Sequence, residues 1–552
     1  MAKFPGTSGN DTYGGTGSKD EIYGKEGNDT LSGNSDNDLI YGGKGNDSLN
    51  GDEGNDTVYG DQNDDLIYGG GGIDRLFGGD GLDALYGGEG NDLLFGENGN
   101  DTIFGGNGAD SAQGGNGSDS VYGGEGNDTL NGGYEADYLE GGNGSDKLQG
   151  GEGADILIGY AQGAETLDSG NWFEGGDGSD TLVGGVGIDT MFGEESNDYI
   201  LGGNGNDLTY GGGRSDTIFG GYGNDLAYGG ADNDLIVGGQ GIYSSSDSLF
   251  GGSDSLYGDL GDDLIYAGRD SQIDFLNGGG GQDSLFGSYS NDSVVGGDGN
   301  DFAWGADGND TLAGDAGDDE LLGGQGDDYL MGGTGNDVLF GGNGDDQAYG
   351  GDDNDEVYGG QGNDTLSGDS GDDRLFGGNG DDSLSGGEGN DYLHPEGGQN
   401  YLTGGGGNDT FVFEFGVTSG PDTISDFSLG DKLDFQGEFD QFFDRKTDAF
   451  VGKDAGNSSA NDNVLVATGQ SYSSINAFGD QFLSASNADN NKPGFYIFVN
   501  SSNNVAEVWF DSNMTDATGA TLIAVIENID DTQELAAAFK SNVSFVINDP
   551  TV

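Results

Sequence analysis

The 552-residue chain contains no cysteine, one histidine, 5 prolines and only 15 lysines and arginines. Without cysteine there is no disulfide, no thiolate metal site and no thiol nucleophile. With His394 as the lone histidine, no metal site built on paired histidines forms within the chain. It stands in Leu393-His394-Pro395, within the repeat described below, and is not a catalytic candidate. So little proline excludes collagen and proline-rich linkers. The few basic residues face 102 aspartates and glutamates, a net charge of −87 that repels nucleic acid and anionic membranes. No run of 18 apolar residues occurs, and Met1 to Asn10 has no apolar core of signal-peptide length, so neither membrane insertion nor Sec export is expected.

What the chain has is glycine, 122 residues, about three times the ordinary share. So much charge with 32 % apolar residues predicts disorder unless cations neutralise the one and regular spacing organises the other. An aspartate does recur every nine residues, at Asp11, Asp20, Asp29, Asp38, Asp47, Asp56, Asp65, Asp74, Asp83, Asp92, Asp101, Asp110, Asp119, Asp128, Asp137, Asp146 and Asp155. The register resumes at Asp180, Asp189, Asp198, Asp207, Asp216, Asp225 and Asp234, and continues less evenly through Asp254, Asp263 and Asp274. It then runs through Asp283, Asp292, Asp301, Asp310, Asp319, Asp328, Asp337, Asp346, Asp355, Asp364, Asp373, Asp382 and Asp391, with Asn400 in the next slot and Asp409 after it. The unit is G-G-x-G-x-D-x-U-x with U apolar, as in Gly332 to Phe340.

Nine residues split into a six-residue turn, where glycine permits positive φ, and a three-residue strand with one side chain inward. The inward series Ile22, Leu31, Ile40, Leu49, Val58, Ile67, Leu76, Leu85, Leu94 and Ile103 is aliphatic. One inward residue per unit cannot close a core, so units must stack two to a coil, the aliphatic residues piling up between two parallel sheets. Some twenty coils spaced about 4.8 Å apart predict a solenoid on the order of 100 Å long.

These nonapeptides resemble those of the RTX (repeats-in-toxin, haemolysin-type calcium-binding) family. The resemblance implies an all-β fold, a calcium-bound parallel β-roll closed by a β-rich C-terminal cap. It also implies Ca2+ at about one ion per nonapeptide, with the ladder aspartates from Asp11 to Asp409 as side-chain ligands beside turn carbonyls. Oxygen-only donors suit a hard cation. Asn400, and Asn171 if it holds a slot, keep an oxygen but lose the charge, which predicts weak or no calcium there. About forty such ions would bring roughly +80 against the chain's −87. An acidic, solvated face of Asn-Asp turns is the competing reading, but aspartates one strand apart would repel by about 1 kcal/mol even in water.

Three places break the rhythm. The interval from Asp155 to Asp180 is 25, and residues 235–282 step unevenly through Asp247, Asp254, Asp263 and Asp274. A looped insertion is expected in each. At the start, Asp11-Thr12-Tyr13-Gly14-Gly15 is one residue short before its glycine pair, which predicts a distorted first coil. Outward aromatics recur every 18 residues, Tyr23, Tyr41, Tyr59, Phe77 and Phe95 on one face and Tyr68, Tyr86, Phe104 and Tyr122 on the other, with Phe340, Tyr358 and Phe376 later. Such rows either cover one another or present an apolar stripe to another rod or to polysaccharide.

The organisation expected is a lead-in over 1–10, the roll over 11–409 with irregular stretches at 156–179 and 235–282, and a C-terminal cap over 410–552. Strands are read at Phe411–Phe413, Phe495–Val499, Val508–Phe510, Leu522–Ile526 and Val543–Ile547, with a helix at Gln533–Phe539. The resemblance implies that this segment carries a secretion signal for a type I exporter. Because the repeats leave nothing outside the cap, the expected role is structural and not enzymatic. It is that of a secreted, calcium-folded component of a cell-surface coat, filament or matrix, with itself as partner, similar in architecture to the calcium-binding surface proteins of cyanobacteria such as oscillin. The alternative is a calcium-dependent adhesin or polysaccharide-binding module.

Overall fold

The computed structural model describes residues 2–160, 170–239, 252–268, 271–414, 420–428, 430–436, 464–467, 494–500, 505–511 and 521–526. All described regular structure is β, most of it a parallel solenoid of about 22 turns. It falls into two compact units, Met1–Ser290 and Asn291–Val552.

In the first unit a regular nonapeptide forms a six-residue strand, such as Ala84–Glu89, and a three-residue turn leads to the next, Leu93–Asn98. The sequence suggested the reverse proportion. The reason for the difference lies in the glycine pair, which turns a corner without leaving the sheet. Gly88 takes φ +113°, yet Gly88 and Glu89 remain in register with Gly106 and Asn107 one coil on. Alternate strands pair. Ala84–Glu89 lies between Leu66–Gly71 and Thr102–Asn107, and Leu93–Asn98 lies between Arg75–Asp80 and Ser111–Asn116, all parallel. Each coil therefore has 18 residues and contributes one strand to each of two sheets. The third position of the aspartate triplet points between them, and Ile22 through Ile103 are all 0–1 % exposed.

The irregular stretches keep register. Trp172–Asp177 pairs with Lys147–Glu152, 25 residues earlier, so the longer interval leaves the strands in register. Ser255–Leu260 likewise pairs with Leu226–Ala231 and with Phe275–Gly280. Asp247 lies outside the described residues. At the start, Thr12–Gly14 is a three-residue strand that sets Tyr13 opposite Leu31, half-exposed and stacked on Phe4 at 3.9 Å. The lead-in is itself a strand, Ala2–Pro5, paired with Asp20–Glu26.

The second unit repeats this plan from Ser293–Asp298 onward, and its parallel pairing runs past Asp409. Thr410–Glu414 pairs with Tyr392–Gly397 and with Lys432–Gln436, and Asp422–Ile424 pairs with Tyr401–Gly406. Thr521–Ile526 then lies parallel to Asp422–Ile424 and antiparallel to Val505–Asp511, which pairs antiparallel with Gly494–Asn500. The strands read at Phe411, Phe495, Val508 and Leu522 are thus present. The helix at 533–539 and the strand at 543–547 lie outside the described residues.

The outward rings stack in two rows. Tyr23, Tyr41, Tyr59, Phe77 and Phe95 follow one another at 4.7–5.1 Å with planes within 10°, and Tyr68, Tyr86, Phe104 and Tyr122 do so at 4.7–5.0 Å.

The second-glycine corner tolerates few side chains. A Cβ on Gly88 would collide with the Gly70 carbonyl, whereas Asp61 fits the same slot by closing φ to 77°. Gly88→Ala should therefore destabilise the calcium-loaded protein by about 1–3 kcal/mol. Asp61→Gly should stabilise it by up to about 1–2 kcal/mol. Denaturant midpoints at saturating calcium measure both shifts.

Candidate metal sites

Each ladder aspartate ends a turn and begins a strand. Its main chain is clasped to the next coil on the same edge by two hydrogen bonds. The Asp29 N–H donates to Asp47 Oδ1 at 2.7 Å, and Ser48 N–H donates to the Asp29 carbonyl at 2.8 Å. The first bond recurs from coil to coil, for example Asp110 to Asp128 at 2.8 Å and Asp337 to Asp355 at 2.8 Å. It persists across the insertions, from Asp155 to Asp180, from Asp225 to Asp254 and from Asp254 to Asp274. Every aspartate of the series from Asp20 to Asp409 is at most 3 % exposed, whereas Asp11 is half-exposed.

Oδ1 is thus spoken for, and Oδ2 is not. At Asp29, Asp56, Asp110, Asp128, Asp337 and Asp355, among many others, Oδ2 is buried with no hydrogen-bond partner. It faces the first glycine of its own unit. At Gly105 the place a Cβ would take lies 2.6 Å from Asp110 Oδ2 and 2.6 Å from the Gly123 carbonyl of the next coil. A carboxylate oxygen and a carbonyl oxygen therefore converge on a strip that only glycine leaves open. Among the described residues no three His, Cys, Asp or Glu side chains gather at one point, so main-chain carbonyls must complete any ion's shell. An orphaned, buried carboxylate oxygen beside a carbonyl fits a hard divalent cation such as calcium.

The electrostatics agree. Burial pushes the Asp65 carboxyl up to about 8, with Asp83 and Asp47 adding repulsion and the Asp47 amide opposing. Asp56 and Asp128 rise to about 7 for the same reason, and Asp355 to about 8. A carboxyl that resists ionisation alone invites a counter-ion.

Two groups of residues stand apart. Asp11 and Asp20 head the ladders, and threonines serve their second oxygens. The Thr16 N–H and hydroxyl donate to Asp20 Oδ2 at 2.6 and 2.8 Å, and the Thr7 N–H donates to Asp11 Oδ2 at 2.5 Å. At the other end, Asp422 and Asp431 occupy ladder slots that sequence reasoning passed over. Asn400 N–H donates to Asp422 Oδ1 and Asp409 N–H to Asp431 Oδ1, each 22 residues on. The signal was there, since Asp422 and Asp431 are nine apart and each is followed two residues later by a buried aliphatic, Ile424 or Leu433. His394 sits in an outward slot, its ring edge-on to Phe376 and Tyr392.

A family model of the RTX calcium-binding nonapeptide repeat, written for four copies, matches residues 5–162, 174–208, 210–243, 251–303 and 304–417. Its two longer gaps, 163–173 and 244–250, fall within the irregular stretches. No curated protein matches the chain significantly.

Two outcomes follow for the metal-free protein. The folded-state values near 6–8 lie above the unfolded value of about 3.9, so the folded chain holds more protons between these limits. Its stability is fully present below about pH 4 and is lost as pH rises through 6–8. In chelator, circular dichroism should show coil at pH 8 and regain strand signal towards pH 5, while calcium binding should release protons and weaken on acidification. Unchanged spectra over that range would contradict buried, unpaired carboxyls. Replacing Asp110 and Asp128 by Ala should also remove a few bound ions in calorimetry; an undiminished count would exclude these carboxylates as ligands.

Proposed function

Because the chain belongs to the family of RTX calcium-binding nonapeptide repeats, we propose that it is a secreted, calcium-binding structural protein of a cell-surface coat, filament or extracellular matrix, folding and assembling on extracellular calcium. The observation that carries this reading is the carboxylate ladder itself. The buried, unpartnered Oδ2 recurs coil after coil through both units, so calcium is a component of the fold and not an accessory to one site. Asp29 to Asp391 supply carboxylates, and glycine carbonyls such as those of Gly69 and Gly123 supply the other oxygens. With cytosolic calcium low, a chain of this charge stays extended and can be threaded through a type I exporter; abundant calcium outside then folds it.

A structural role, and not an enzyme, is supported by repeats that occupy most of residues 5–417. Between coat and adhesin, the aromatic rows favour the coat. Sugars stack on ring faces, and here each face from Tyr23 to Phe95 already covers its neighbour at 4.7–5.1 Å, so only ring edges and hydroxyls point outward. Such an edge suits lateral contact with another apolar row.

Electron micrographs with and without calcium test the proposal. Calcium alone should produce filaments or sheets, and Tyr23→Ser/Tyr41→Ser/Tyr59→Ser should leave the calcium-induced strand signal nearly intact while reducing lateral association several-fold. Particles that stay single in calcium but are retained on a polysaccharide column would instead establish the adhesin.

A further inference from the structure

The ladder slots at Asn171 and Asn400 carry a carboxamide, and the surrounding bonds fix which way each one faces. Asn171 Oδ1 accepts the Asp146 N–H at 2.8 Å, and Asn400 Oδ1 accepts that of Asp382 at 2.7 Å, the bond that Oδ1 makes at every regular aspartate. The NH2 group is then left on the side where Oδ2 would stand. Asn171 Nδ2 indeed crowds the place a Cβ on Gly159 would take, the place that Asp110 Oδ2 flanks at Gly105. Asn400 Nδ2 donates to Asp422 Oδ1 at 2.9 Å, in addition to the Asn400 N–H on the same oxygen.

An amide NH2 has donors and no lone pair to offer a cation. At Asn400 a second feature closes the strip, because the first glycine of the unit is replaced by Pro395, whose Cβ stands where other units have a hydrogen. The Pro395 carbonyl still serves the preceding coil, lying 2.6 Å from the Cβ place of Gly377 beside Asp382 Oδ2, so the change is confined to the Asn400 side.

We infer that the chain's own carboxamides take the ion's place at Asn171 and Asn400, so the cation rows are interrupted there by design of the sequence. In the first unit one edge is thereby cut into a block from Asp20 to Asp146 and a block from Asp189 to Asp274. The opposite edge runs from Asp11 to Asp283 without a break. In the second unit, Asn400 ends the row that leads through Asp364 and Asp382 and seals it to Asp422 with amide protons.

This rests on the calcium reading and is tested separately from it by anomalous diffraction from crystals of the full chain grown in calcium. Wild type should show peaks beside regular aspartates such as Asp110, Asp128 and Asp364, and none beside Asn171 or Asn400. The variant Pro395→Gly/Asn400→Asp should gain a peak at its restored slot. A wild-type peak at ligand distance from either asparagine Oδ1 would overturn the inference, as would a variant that gains none. Absence of peaks throughout would instead overturn the calcium reading.

Discussion

The structure turns on a column of carboxylates placed one coil apart on each edge, buried, and half-satisfied. Each gives one oxygen to a main-chain amide and points the other at a glycine. Without a positive partner such a column is self-repelling and badly solvated, and the aliphatic core offers only one large side chain per nine residues to hold it closed. The family to which the chain belongs resolves this with calcium. There the ion is the counter-charge.

The same constraint explains the glycine. The first glycine of each pair is dictated by crowding from a carboxylate and a carbonyl oxygen, as at Gly105. The second is dictated by the corner, as at Gly88. The first slot holds Ala267 and Pro395 as exceptions, whereas the second admits Asp61, Glu97 and Lys25 at φ between 77° and 89°. Two adjacent glycines thus answer to different forces.

Much of this was legible in the sequence because a strict period leaves little freedom. Aspartates nine apart with an aliphatic two residues later fixed the coil, the inward series and the aromatic rows, and all of these appear in the structure. Strand length was misread because a glycine pair is ordinarily a turn, and nothing in a string of letters shows that Gly88 bends within a sheet. Asp422 and Asp431 were passed over because an interval of 22 in place of 18 breaks the period, although their own spacing of nine survives. Asn171 was placed only by its ladder bonds, since the interval of 25 says how many residues are extra but not which of them hold the slot.

The clasp between coils has a direction. An aspartate's N–H is answered by the carboxylate of the coil that follows it, never by the one before, while the exposed asparagine next to it receives an amide of the following coil, as Ala109 gives to Asn91. Each coil is therefore completed by its successor at the aspartate amide and by its predecessor at the amides beside it. Cut the solenoid, and the coil left at the amino side loses the acceptors for its aspartate amides, whereas the coil on the far side keeps those and loses the acceptors for the amides that flank them, as Ala109 would lose Asn91 Oδ1 and Ser111 the Asp92 carbonyl. The two sides of a coil thus ask for different groups, and the threonines at Asp11 and Asp20 and the strands around Asp422 are two different answers to that asymmetry.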